Sequence, residues 1–83
     1  MMNNDPRLNF RPDGRTAVLH LRFDGLSRDI ELALLDLGVA ASDSSIRAAV
    51  ARFVDVPAAE LSGYVVERHE NGNLTLRPEA VFG

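Results

Sequence analysis

The stretch that decides the fold is residues 16–35, which reads TAVLHLRFDGLSRDIELALL. Apolar and polar side chains alternate along its first half, which is the period of a strand with one buried face. One face carries Ala17, Leu19, Leu21 and Phe23, and the other carries Val18, His20 and Arg22. Asp24-Gly25 follows at once, and this dipeptide between alternating runs predicts a tight hairpin turn. The stretch therefore predicts two antiparallel strands at the start of a small sheet.

The second half of the stretch allows two interpretations. Ile30, Leu32 and Leu34 share one face if the alternation continues, and this favours a strand over 28–35. Leu, Ala and Glu are also good helix formers, so residues 28–37 can be read as a helix. We favour the strand because of the hairpin signal before it.

The middle of the chain predicts one amphipathic helix over about 43–54. Ser42 to Ser45 supply N-cap residues, and a stripe with offsets of three and four follows. The stripe consists of Ile46, Ala49, Val50, Phe53 and Val54. Asp55-Val56-Pro57 ends the helix, and a short turn over 57–61 is expected because proline suits its first position.

A second hairpin follows the helix. Residues 64–69 are rich in β-forming side chains, and residues 74–77 form the return strand. Between them lies Asn71-Gly72, the dipeptide preferred in type I′ turns. The order is ββ-α-ββ, so we expect an α+β fold in which one helix packs on a small mixed sheet. We divide the chain into a polar segment at 1–15, with room for an additional strand at 8–11, a domain at 16–78 and a tail at 79–83.

The composition excludes several chemistries. The chain of 83 residues has no cysteine, so it has no thiol nucleophile and no thiolate metal site. Its two histidines are 49 positions apart, without the spacing of a metal site, and no nucleophile motif is present. We expect no catalytic residues, no metal, no cofactor and no enzyme activity. No apolar run has the length of a membrane span, and no signal peptide is recognisable, so we expect a cytoplasmic protein without membrane contact.

The order of elements resembles the ubiquitin-like β-grasp family, and the resemblance covers residues 16–83. The first hairpin, the helix over 46–54 and the last strand with its tail carry the resemblance. Members that end in glycine include ubiquitin and the sulfur carriers of thiamine and molybdopterin synthesis. The resemblance implies a carrier or modifier whose terminal residue, Gly83, is activated by an adenylating enzyme. Those carriers end in Gly-Gly, whereas Phe82 precedes Gly83 in this chain.

Three functions are compatible with the sequence. The first is an interaction module that binds another protein or a second copy through a sheet edge or through the sheet face turned away from the helix. That face should present Val18, His20, Arg22, Glu31, Thr75 and Arg77, while Val81 and Phe82 form a tail that needs a docking site. The second is the carrier with Gly83. The third is a small nucleic-acid-binding domain that uses Arg22, Arg68 and Arg77, which the net charge of −3 disfavours.

Overall fold

One mixed sheet of four strands forms the centre of the computed structural model, which describes residues 16–79. The strands are β1 (Val18–Phe23), β2 (Leu26–Glu31), β3 (Tyr64–Arg68) and β4 (Leu74–Pro78). They lie side by side in the order β2-β1-β4-β3. The helix α1 (Asp43–Phe53) connects the two hairpins, so the fold is α+β, as the sequence predicts.

The two central strands, β1 and β4, are parallel. Leu19 pairs with Leu74, and Leu21 pairs with Leu76. All four leucines are buried under the helix together with Ile46. Removing this continuous apolar area from water is the main contribution to stability in a chain of this size.

The first hairpin has the turn that its sequence predicts. Phe23 pairs with Leu26, and both residues between them have positive φ, 54° at Asp24 and 78° at Gly25. Two central residues with positive φ define a type I′ turn, whose twist matches that of the flanking strands.

The strand interpretation of residues 32–35 is wrong. β2 ends at Glu31, and Leu32–Leu35 form a 3-10 helix. The Leu32 N–H still donates to the Ala17 carbonyl at 3.1 Å, after which the chain turns. In a 3-10 helix residues three apart share a side, so Leu32 and Leu35 are both buried. Leu34, which the alternation places in the core, is 64% exposed.

The helix α1 forms where the sequence predicts it, with bounds within one residue of the expected 43–54. Ser42 is the N-cap, and its side chain accepts a hydrogen bond from the Ser45 N–H at 3.2 Å. Of the apolar stripe, Ile46, Ala49 and Val50 are buried, whereas Phe53 is 36% exposed. The short turn after the helix is a second 3-10 helix, Ala58–Leu61, with Pro57 immediately before it.

The turn type of the second hairpin differs from the expectation. Among residues 70–72 only Gly72 has positive φ, at 94°, and a type I′ turn needs two such residues. The His69 carbonyl accepts from the Gly72 N–H, and the His69 N–H donates to Asn73, both at 2.9 Å. This is a three-residue loop in which glycine takes the left-handed position. The proposed strand at 8–11 and the tail beyond Glu79 lie outside the described residues.

The last turn of α1 ends at a left-handed aspartate. Asp55 has a φ of 61°, and the Val56 N–H donates to the Ala51 carbonyl at 2.9 Å, which is the bond of a Schellman motif. A left-handed conformation strains an L-residue, and a carboxylate beside the C-terminus of a helix is repelled by the helix dipole. Glycine removes both penalties.

We therefore expect Asp55→Gly to raise the free energy of unfolding by about 0.5–1 kcal/mol, measured by urea denaturation. The greater chain entropy of glycine in the unfolded state makes this a net figure. Asp55→Ala is the matched control and should stabilise less than Asp55→Gly, since alanine removes the charge but keeps the left-handed strain. Equal stabilisation by both variants would contradict this account.

Candidate interaction surface

The sheet face turned away from α1, which we call the outer face, collects nearly all of the polar side chains that the sequence singles out. Its residues follow from the pairing registers. None of them is buried. They are Val18, His20 and Arg22 on β1, Ser27, Asp29 and Glu31 on β2, Val65 and Glu67 on β3, and Thr75 and Arg77 on β4.

A histidine and an aspartate form one pair on this face. Asp29 lies opposite His20 in the hairpin register, and His20 Nδ1 is 2.6 Å from Asp29 Oδ1. At this distance Nδ1–H donates to the carboxylate, so the other ring nitrogen, Nε2, faces away from the pair. The side chain of His20 is 43% exposed and that of Asp29 is 70% exposed. Aspartate thus orients a histidine that stays accessible to a ligand.

The second histidine, His69, contacts a threonine on the central strand β4. Thr75 is the register partner of His20 on the parallel strand, and its Oγ1 is 2.8 Å from His69 Nε2. The sequence gives no sign of this arrangement, because the two histidines belong to different hairpins. Their proximity follows only from the pairing of β1 with β4.

An ion pair joins the other two strands of this face. Arg77 donates from Nε to Glu67 Oε1 at 3.0 Å and from one terminal nitrogen to Oε2 at 3.2 Å. These hydrogen bonds and the charge of Arg77 lower the pKa of Glu67, although partial desolvation opposes them, and the same contacts raise the pKa of Arg77. A two-point contact of this kind fixes the guanidinium plane against the sheet.

The three arginines proposed for nucleic-acid binding do not form one patch. Arg68 belongs to the opposite side of its strand, where it donates to the carbonyls of Val39 and Ala41 and pairs with Asp43. Arg77 is neutralised by Glu67. Within residues 16–79 only Arg22 of this set makes no ion pair.

The most exposed large apolar side chains of the described residues do not lie on the outer face. Leu26 is 71% exposed at the first hairpin, and Leu34 is 64% exposed on the first 3-10 helix. A groove of about 360 Å³ lies next to Leu26, between the hairpin and the C-terminal end of α1. The sequence pattern reveals neither exposure, because Leu26 follows the Asp24-Gly25 turn directly and the alternation places Leu34 in the core.

The described part of the chain offers no metal centre, since residues 16–79 contain no group of three or more histidine, cysteine or carboxylate side chains placed to hold an ion. None of the helices in this range is both long and apolar enough to span a membrane. Val81, Phe82 and Gly83 lie outside the described residues. No family model, curated protein or solved structure matches this chain.

The Glu67–Arg77 pair predicts a pH dependence of stability. Because folding lowers the pKa of Glu67 from about 4.5, its contribution is present above that pH and is lost as the pH falls through the lower, folded value. The difference in melting temperature between the wild type and Glu67→Gln should therefore shrink as the pH falls below 4.5. Repeating the comparison in an Arg77→Ala background should remove that pH dependence. If the dependence survives without Arg77, the pair is not its cause.

Proposed function

We propose that this protein is a small, non-enzymatic protein-binding domain of ubiquitin-like β-grasp fold, and that its outer face contacts the partner. The ββ-α-ββ order and the single helix packed on a mixed sheet support the β-grasp assignment. The partner is another protein, and a second copy of the chain is one form that it can take.

The observation that carries the proposal is the state of the side chains on the outer face. None is buried, yet His20, Thr75 and Arg77 are each held by a neighbour on the sheet. Side chains that are already ordered lose less conformational entropy when a partner binds. Arginine and histidine, with both donor groups and flat apolar surfaces, suit a mixed protein interface.

The charge pattern favours a protein over a nucleic acid. A phosphate backbone is bound by several cations that act together. On the outer face Asp29, Glu31 and Glu67 accompany the basic groups, and Arg68 is turned away. A partner surface with both charges complements this arrangement better than a polyanion does.

The proposal is tested by site-specific photo-crosslinking in the native host cell. A benzophenone amino acid at position 22 or 75 should give a discrete adduct with another protein, whereas the same group at the exposed Glu60, on the second 3-10 helix, should not. Excess wild-type protein should compete the adduct away, and Arg22→Glu protein should compete less well. Equal adducts from all three positions would contradict the outer-face assignment, and an adduct of twice the chain mass would identify a second copy.

A second candidate function, the carrier, is favoured by the exit of the last strand. β4 is a central strand that ends at Pro78, and the exposed Pro78 and Glu79 lie beside the first hairpin. The last described residue, Glu79, therefore lies at an open end of the sheet. If Gly83 carries the free carboxylate, an adenylating enzyme would join that carboxylate to the α-phosphate of ATP and release pyrophosphate.

The carrier predicts that an adenylating enzyme from the same cell exchanges labelled pyrophosphate into ATP in the presence of this chain. Removing Gly83 should abolish the exchange, because the C-terminal carboxylate offered to the enzyme would then be that of Phe82. Thr75→Ala, outside the tail, is the matched control and should leave the exchange intact. Exchange that persists at the wild-type rate without Gly83 would exclude this function.

A further inference from the structure

We propose that the free edge of β2 binds an extended segment of another protein, in which basic and apolar side chains alternate, as an added antiparallel strand. This site borders the outer face and shares Asp29 and Glu31 with it, but it binds through the backbone groups of the β2 edge and the groove beside Leu26. The partner segment supplies backbone groups that continue the sheet. It carries cationic side chains on one side of the added strand and aliphatic side chains on the other.

The backbone of β2 shows which groups are free. The Leu32 N–H donates to Ala17, which sets the phase of the β1–β2 ladder. In an antiparallel pair the residues alternate between bonding inward and pointing outward. Ser27, Asp29 and Glu31 therefore direct their N–H and C=O groups away from β1. β2 is the first strand of the sheet order, and no strand of the described residues pairs with this edge.

The opposite edge, on β3, is occupied differently. Arg47 of the helix donates to the Tyr64 carbonyl at 3.2 Å. Arg68 reaches from β3 to the carbonyls of Val39 and Ala41. A side chain of α1 and the backbone of the connection before it thus both contact β3. These contacts would obstruct an added strand at the β3 edge, whereas within residues 16–79 no comparable contact lies along the β2 edge.

The helix side of the β2 edge presents apolar surface together with one cation, Arg28. Leu26 projects beside the groove of about 360 Å³, whose lining includes Leu21, Phe23 and Val54. Further along the edge, Arg28 stacks on the Phe53 ring at 5.1 Å and leaves the aromatic side chain partly exposed. Side chains of an added strand that point to this side would contact Leu26 and cover apolar surface that water now contacts.

The outer side of the same edge is acidic, and this selects the partner. Asp29 and Glu31 both point to the outer face, next to the free backbone groups. An added strand places every second side chain directly opposite these carboxylates. Lysine or arginine at those positions forms cross-strand ion pairs, whereas acidic residues are repelled.

The charged side chains of β2 disfavour a second copy of this chain as the added strand. A symmetric dimer would pair the two β2 strands antiparallel. Its two longest in-phase registers place Asp29 opposite its own counterpart or Arg28 opposite its own counterpart. Like charges directly opposite each other destabilise a sheet, so this edge is protected against self-pairing.

The test is a titration of the full chain with a capped eight-residue peptide in which lysine alternates with valine, followed by backbone amide shifts in NMR. We expect the largest shifts at the amides of Ser27, Asp29 and Glu31. A peptide with the same composition in two blocks, four lysines then four valines, controls for net charge. A peptide N-methylated on the edge-facing residues controls for backbone pairing, and both controls should bind at least tenfold more weakly.

A charge variant tests the acidic side. Glu31→Arg should weaken binding of the alternating peptide by about threefold or more, while Glu60→Arg, the same charge change on the second 3-10 helix, should have a smaller effect. Equal binding of the block peptide, or shifts centred on Arg22 and Thr75, would overturn the proposal. Slow exchange of the Ser27, Asp29 and Glu31 amides in the free chain would also overturn it, because the edge would then already be paired. None of these outcomes bears on the outer-face crosslinks.

Discussion

The parallel pairing of β1 with β4 is the constraint on which the rest of this structure depends. Parallel neighbours cannot be joined by a tight turn, so the chain between them must cross over. Here the intervening chain holds a strand, the helix and another strand, and α1 lies over one face of the sheet. The leucines of β1 and β4 are buried on that face. Because α1 is the only α-helix of residues 16–79, the other face is left mainly to polar side chains.

That division of the sheet explains how the charges are arranged. On the outer face acids and bases pair across neighbouring strands, as in His20 with Asp29 and Glu67 with Arg77. Each pair joins a central strand to an edge strand. Such exposed pairs add little to stability. Their stronger effect is to hold side chains in fixed orientations, which turns an ordinary solvated face into a defined one.

The local sequence pattern was sufficient to predict the structure wherever a residue's environment depends on its near neighbours in the chain. The alternation of β1, the Asp24-Gly25 turn and the stripe of α1 could all be read from the sequence. The alternation wrongly predicts a buried Leu34, because a strand and a 3-10 helix that start at Leu32 both bury Leu32. Only the point where the pairing of β2 with β1 stops distinguishes the two structures. Gly72 was assigned to the wrong turn because Asn-Gly fits more than one loop length. The meeting of His20 and His69 around Thr75 depends on the pairing of distant strands, which no spacing reveals.

The hydrogen bond from the Val18 N–H to the Asn73 side-chain oxygen joins positions 55 residues apart. It lies at the end of the sheet where β1 starts and where the second hairpin turns back into β4. During synthesis the first hairpin leaves the ribosome long before Asn73 does. Leu19 and Leu21 must then remain uncovered on their β4 side until β4 has been synthesised, so the core closes only after Leu74 and Leu76 have left the ribosome. Slow, non-local closure of this kind makes the nascent chain more vulnerable to aggregation than its small size suggests.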